Sequence, residues 1–247
     1  MKAVLLGTNG YHPNEHRHTS CIMLPELGII FDAGTGLFRI RDRIATSHLD
    51  IYLSHAHLDH VAGLTFLLGV LYQKSVDQVV IHGEPEKLQA VQQHLFSEYL
   101  FPVVPKYEFR PLAEGEARLP GGGKLRHFPL LHPGGSVGYR VDWPGRSFAY
   151  VTDTTADPAA DYVKQIDGVD VLVHECNFPD RLHEIATLTG HSWTSRVAEV
   201  AKAANAGLLV LTHIDPALDG DDPIGLESAA KIFPSVIVAE DNMELEF

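Results

Sequence analysis

The hexapeptide His55-Ala56-His57-Leu58-Asp59-His60 packs four potential ligand side chains into six residues. Residues two apart in extended backbone project to the same side, so His55 and His57 can share one cation. Asp59 and His60 then open a helix and point at a neighbouring position. Imidazole and carboxylate are donors that zinc, manganese and iron accept. With 15 histidines in 247 residues, such a run arises by accident in roughly half a percent of chains of this composition. The bland alternative is a polar helix start capped by Asp59. The spacing favours metal.

More donors stand where apolar runs end. Asp153 follows Ser147-Phe148-Ala149-Tyr150-Val151-Thr152, and His213 follows Leu208-Leu209-Val210-Leu211-Thr212. Asp32 follows Gly28-Ile29-Ile30-Phe31, and His174-Glu175 follows Val169-Asp170-Val171-Leu172-Val173. Runs of this length bounded by turn signals are buried strands, and the open end of an α/β sheet gathers the residues that follow them. His132 lies in Leu130-Leu131-His132-Pro133-Gly134-Gly135. His127 competes with it, but the Pro-Gly-Gly after His132 permits close backbone approach.

Helical patterns at 64–72, 86–99 and 195–206 separate these strands, the last with Val197, Val200, Ala201 and Ala204 on one stripe. Strands alternating with helices indicate an α/β class with helix-covered sheets. The segment 101–123 holds four prolines and three consecutive glycines. It reads as a loop or lid within one domain spanning 1–247, shaping either a pocket or a homodimer interface.

The net charge of −13 and the lack of any basic run beyond Arg39, Arg41 and Arg43 disfavour a nucleic-acid partner. No apolar stretch approaches the roughly 20 residues of a membrane span. Met1-Lys2-Ala3-Val4-Leu5-Leu6-Gly7 reads as a first strand rather than a leader, so a cytoplasmic location is expected. Cys21 and Cys176 lack metal-type spacing and read as buried thiols.

Taken in order, His55-x-His57-x-Asp59-His60, His132, Asp153 and His213 resemble the ligand set of the metallo-β-lactamase superfamily, over almost the whole chain. The resemblance implies an αββα four-layer sandwich and two divalent metal ions, zinc foremost, with manganese or iron as alternatives. It places His55, His57 and His132 on one ion, Asp59, His60 and His213 on the other, and Asp153 between them. Asp32 would support the ligand histidines from behind.

Gly190-His191-Ser192-Trp193-Thr194 and His174-Glu175-Cys176-Asn177 resemble segments of the superfamily's ribonuclease Z and phosphodiesterase branch. That likeness assigns His191 as general acid, Glu175 as the group that orients it, and Asp59 to the catalytic set as well as to the metal. The opening Leu6-Gly7-Thr8-Asn9-Gly10, running on to Arg17, is similar to that branch's glycine-rich loop. It makes Arg17 a candidate for a substrate phosphate. The chain also departs from the branch. Only 20 residues separate His132 from Asp153, enough for a strand pair and too few for a tRNA-gripping arm, and Ile214-Asp215-Pro216 follows His213 in place of the family's Ser and Arg-bearing continuation. The expected activity is therefore hydrolysis of a small or cyclic phosphodiester by a two-metal-activated hydroxide, with His191 protonating the leaving oxygen. Alternatives are a tRNA 3′-processing endoribonuclease and a thioester, lactone or β-lactam hydrolase. A di-iron redox centre is disfavoured by His57, and a non-catalytic module by the seven filled ligand positions.

Overall fold

The computed structural model describes residues 1–103, 106–218 and 220–247. It forms two compact units, Met1–Glu114 with Glu240–Glu246, and Gly115–Ala239 with Phe247. In unit 1 the apolar runs become β1 (Lys2–Gly7), β2 (Cys21–Leu24), β3 (Ile29–Phe31), β4 (His48–Tyr52), β5 (Gln78–Gly83) and β6 (Glu108–Pro111), adjacent in that order. β1 to β3 pair antiparallel and β3 to β6 parallel. The two-residue period decides the faces. Leu49, Ile51, Val79 and Ile81 enter a core with Val4, Leu6 and Ile30, whereas Asp50 lies on the other face of β4 and holds His82.

The hexapeptide leads into α1 (Leu58–Val61), a 3₁₀ segment (Ala62–Phe66) and α2 (Leu67–Val70). The continuous helix expected over 64–72 is thus broken. The His60 carbonyl accepts the Ala33 N–H at 2.7 Å, and the Gly63 N–H donates to the Ala33 carbonyl at 2.8 Å. Groups that would bond along an α-helix are engaged by the loop after β3 instead. Gly63 permits this approach, since a Cβ there would lie 2.2 Å from the Gly34 carbonyl oxygen. The pattern at 86–99 becomes α3 (Pro85–Ala90) and a π-helical turn (Val91–Leu95).

Unit 2 continues with β7 (Ala117–Leu119), β8 (Gly123–Leu130), β9 (Ser136–Trp143), β10 (Arg146–Val151), β11 (Val171–Glu175), β12 (Leu208–Thr212) and β13 (Val236–Val238), again neighbours in sequence order. β7 to β10 are antiparallel and β10 to β13 parallel. The β9–β10 hairpin fills the interval before Asp153 with the expected strand pair. α4 (Asp161–Gln165), α5 (His183–Thr189), α6 (Thr194–Ala203) and α7 (Leu226–Ile232) complete this unit. The predicted stripe of Val197, Val200, Ala201 and Ala204 is fully buried in a core with Leu209 and Leu211. β14 (Met243–Glu246) returns to unit 1 beside β1.

The expected loop at 101–123 instead contains β6 and β7, one at an edge of each sheet, with the boundary between the units after Glu114. Edge strands tolerate the proline and glycine that read as loop signals. Residues 104 and 105 of that segment lie outside the described residues. Among the described residues no helix is long and apolar enough to cross a membrane.

Candidate metal centre

In unit 1, Asp32 stands at the end of β3 with a left-handed φ of 57°, a conformation uncommon outside glycine. Its fully buried carboxylate accepts the Ser54 N–H at 2.7 Å, the Ser54 hydroxyl at 2.8 Å and His60 Nδ1–H at 2.8 Å. With its proton directed to Asp32, the Ser54 oxygen accepts His55 Nδ1–H at 3.0 Å. One carboxylate and one hydroxyl thereby fix two imidazole tautomers, each leaving its Nε2 lone pair for a cation. The His55 ring lies 4.4 Å from His57 and 4.3 Å from His60 between centroids. His60 Nε2 is 3.4 Å from Asp59 Oδ2, which also accepts the Tyr11 N–H at 2.8 Å. Two electron-rich atoms face each other there. That arrangement is favourable only with a proton or a cation between them. His55 and His60 are buried and His57 is exposed.

Unit 2 repeats this logic. His132 Nδ1–H donates to the Gly190 carbonyl at 3.0 Å, and its Nε2 lies 3.6 Å from Asp153 Oδ2. Burial lowers the His132 pKa despite the Asp153 charge, favouring the neutral ligand form. His213 Nε2 lies 3.2 Å from Asp153 Oδ1, and His213 adopts a left-handed φ of 60° just beyond β12. Asn177 Nδ2 donates to the His213 carbonyl at 2.8 Å and holds that turn. Imidazole and buried carboxylate, with lone pairs turned toward one another, fit divalent cations of the zinc type.

Glu175 ends β11 as a completely buried carboxylate. Oε1 accepts the Thr154 N–H at 3.0 Å and His191 Nδ1–H at 3.0 Å, while Oε2 accepts the N–H groups of Asn177 at 3.1 Å and Ser192 at 3.2 Å. Burial pushes this carboxyl up, but the charge and hydrogen bond of His191, with the charge of His213, outweigh it and hold the group below the usual carboxylate value. The His191 ring stacks on His213 at 5.3 Å and lies 5.1 Å from His132. Gly190, at φ 79°, lets this segment approach, since a Cβ there would meet Pro133 Cδ at 2.4 Å. An imidazole whose Nδ1 is held by a buried anion can carry a proton at Nε2 and release it.

Unit 1 therefore gathers His55, His57, Asp59 and His60 with Asp32 behind them, and unit 2 gathers His132, Asp153, His213, Glu175 and His191. His127 lies within β8 opposite Tyr139 and joins no donor cluster among the described residues. Arg17 turns its guanidinium to Thr8 at 2.7 Å. Cys21 and Cys176 are buried thiols, as expected. Sequence reasoning missed the roles of Ser54 and Asn177. Their position just after strands was the available signal, but serine and asparagine are too common at such sites to single out.

The sequence model of the beta-lactamase superfamily domain matches residues 28–214. A ribonuclease Z of Archaeoglobus fulgidus is 28% identical, covering 100% of this chain and 97% of its own. The crystal structure of the metallo-beta-lactamase fold protein YhfI from Bacillus subtilis superposes with a TM-score of 0.78 at 20% identity, covering 99% of each chain. A diphosphatase from the PhnP family superposes with a TM-score of 0.75 at 21% identity, covering 100% of this chain and 98% of its own.

Proposed function

Because this chain belongs to the beta-lactamase superfamily and is a metal-dependent hydrolase, we propose that it hydrolyses a small or cyclic phosphodiester at a two-metal centre. In this reading His55, His57 and His132 hold one divalent ion, Asp59, His60 and His213 hold the other, and Asp153 serves both. Zinc suits these donors, with manganese or iron as alternatives. Bound cations of this kind polarise phosphoryl oxygens and bring the pKa of water toward neutrality.

The observation that carries the proposal is the Glu175–His191 pair. Hydrolysis of an unactivated phosphodiester expels a poor leaving group, an alkoxide that needs a proton. Glu175 holds His191 Nδ1 at 3.0 Å and fixes the ring against His213, so Nε2 can present that proton to the departing oxygen. Thioester hydrolysis, which expels a stable thiolate, has less need of such an acid. Asp32 and Ser54 keep His55 and His60 in the tautomer that offers Nε2.

The charge of −13 favours a small substrate over a long polyanion. So does the short hairpin before Asp153, which leaves no room for an arm. The second reading is tRNA 3′-end processing, favoured by the full-length similarity to a ribonuclease Z. The match to that relative extends over 305 positions, so the relative carries segments that this chain lacks.

The test is elemental analysis of the purified protein followed by a panel of cyclic and linear phosphodiesters, a phosphomonoester, a thioester, a lactone and a precursor tRNA. Two metal ions per chain and turnover of small phosphodiesters are expected. Cleavage of the tRNA precursor at one discrete site would establish the second reading. Turnover confined to thioester or lactone would refute both.

A further inference from the structure

Beside the hexapeptide, unit 1 holds a cavity of about 210 Å³ with almost wholly apolar walls. Ala56 and Leu58, which alternate with His55, His57 and Asp59 along the chain, line it together with Val61. Ala90 at the end of α3, Val91 and Leu95 from the turn after it, and Leu100 also line it. Leu58 is 70% exposed and Leu100 is 73% exposed, so neither is needed to fill the core. His94 is the one polar residue among the described lining.

Size and chemistry restrict the occupant. An aliphatic-lined cavity of roughly 150 Å³ takes a benzene ring, so this one accepts a ring of that size with a substituent. The walls offer a nucleobase no polar side chain other than His94, so they favour an apolar group over a base. The wall also shares its backbone with the ligand histidines. The cavity therefore adjoins the segment that would hold the cations.

We infer that this cavity is a subsite for an apolar, phenyl-sized substituent of the substrate. The inference rests on the phosphodiester reading for the chemistry next to it. It narrows the substrate class to esters carrying an aryl or compact alkyl group.

The experiment compares phenylphosphonate with methylphosphonate by calorimetric titration of the full-length zinc-loaded protein. Phenylphosphonate is expected to bind about ten-fold or more tightly, as burial of a ring that size implies. In Ala90→Phe, which fills the cavity from α3, the ratio of the two affinities should fall toward one. Leu95→Ala, which enlarges it, should favour naphthylphosphonate over phenylphosphonate relative to the unaltered protein. Equal affinities for the two small probes, or ratios untouched by both substitutions, would overturn the subsite. So would a dimer that Ala90→Phe splits while the ratio stays put, since the cavity would then be an interface between copies. A phenyl preference without phosphodiester turnover keeps the subsite and removes the activity reading. Turnover without the preference does the reverse.

Discussion

Replacing Glu175 by Gln changes one atom and should break the order of three loops. The carboxylate receives four N–H groups, two on each oxygen, from residues after β10, after β11 and just before α6. An amide cannot accept at both ends. Whichever end becomes NH₂ meets two donors and loses two charge-assisted hydrogen bonds, each contributing about 1.5–3 kcal/mol. The expected loss of stability is therefore at least about 3 kcal/mol. With a urea m-value of about 3 kcal/mol/M, the unfolding midpoint falls by about 1 M or more. His191→Ala removes one donor of the four and leaves three backbone N–H groups on the carboxylate, so its midpoint should move far less. Urea titrations followed by circular dichroism compare the two variants with the unaltered protein. A Glu175→Gln shift below about 0.3 M would mean that the buried carboxylate does not organise these loops, and the account of how His191 is oriented would go with it.

His191→Ala should slow hydrolysis of an alkyl phosphodiester by roughly 10²- to 10⁴-fold, the range for loss of a general acid, and slow a p-nitrophenyl ester much less. Equal losses in steady-state assays of the two substrates would argue against proton delivery. Asp32→Asn should weaken zinc binding by roughly 10- to 100-fold in competition with a chromophoric chelator, because it disturbs the tautomers of His60 and, through Ser54, His55. An unchanged affinity would discount that support. His174 is fully buried, bonded to the Tyr162 hydroxyl at 3.1 Å and the Glu175 carbonyl at 2.7 Å, and burial holds its pKa below the ordinary 6.5. The unfolded chain takes the proton first, so this group's contribution to stability is full above 6.5 and declines as pH falls toward the folded pKa. Urea midpoints at pH 7.5 and 5.5 should drop more for the unaltered protein than for His174→Gln, and parallel drops would contradict the assignment.

The sequence alone determined which donors are present and that they stand where strands end. Spacing by two in extended chain is local, and a run such as Leu209-Val210-Leu211 is apolar enough to mark a buried strand from its composition alone. The α6 stripe was legible for the same reason, since its period needs nothing beyond the helix itself. Tertiary structure decided the rest. The helix after His60 breaks because Ala33, far back in the chain, takes its backbone bonds, and the proline-marked segment at 101–123 forms edge strands because sheet neighbours need only one of their two sides. Above all, the proton positions on the ligand imidazoles are set through space. His60 answers to Asp32 across 28 residues and His132 to the Gly190 carbonyl across 58. A hydrogen bond depends on a distance of about 3 Å and on direction, and neither is written in the order of residues.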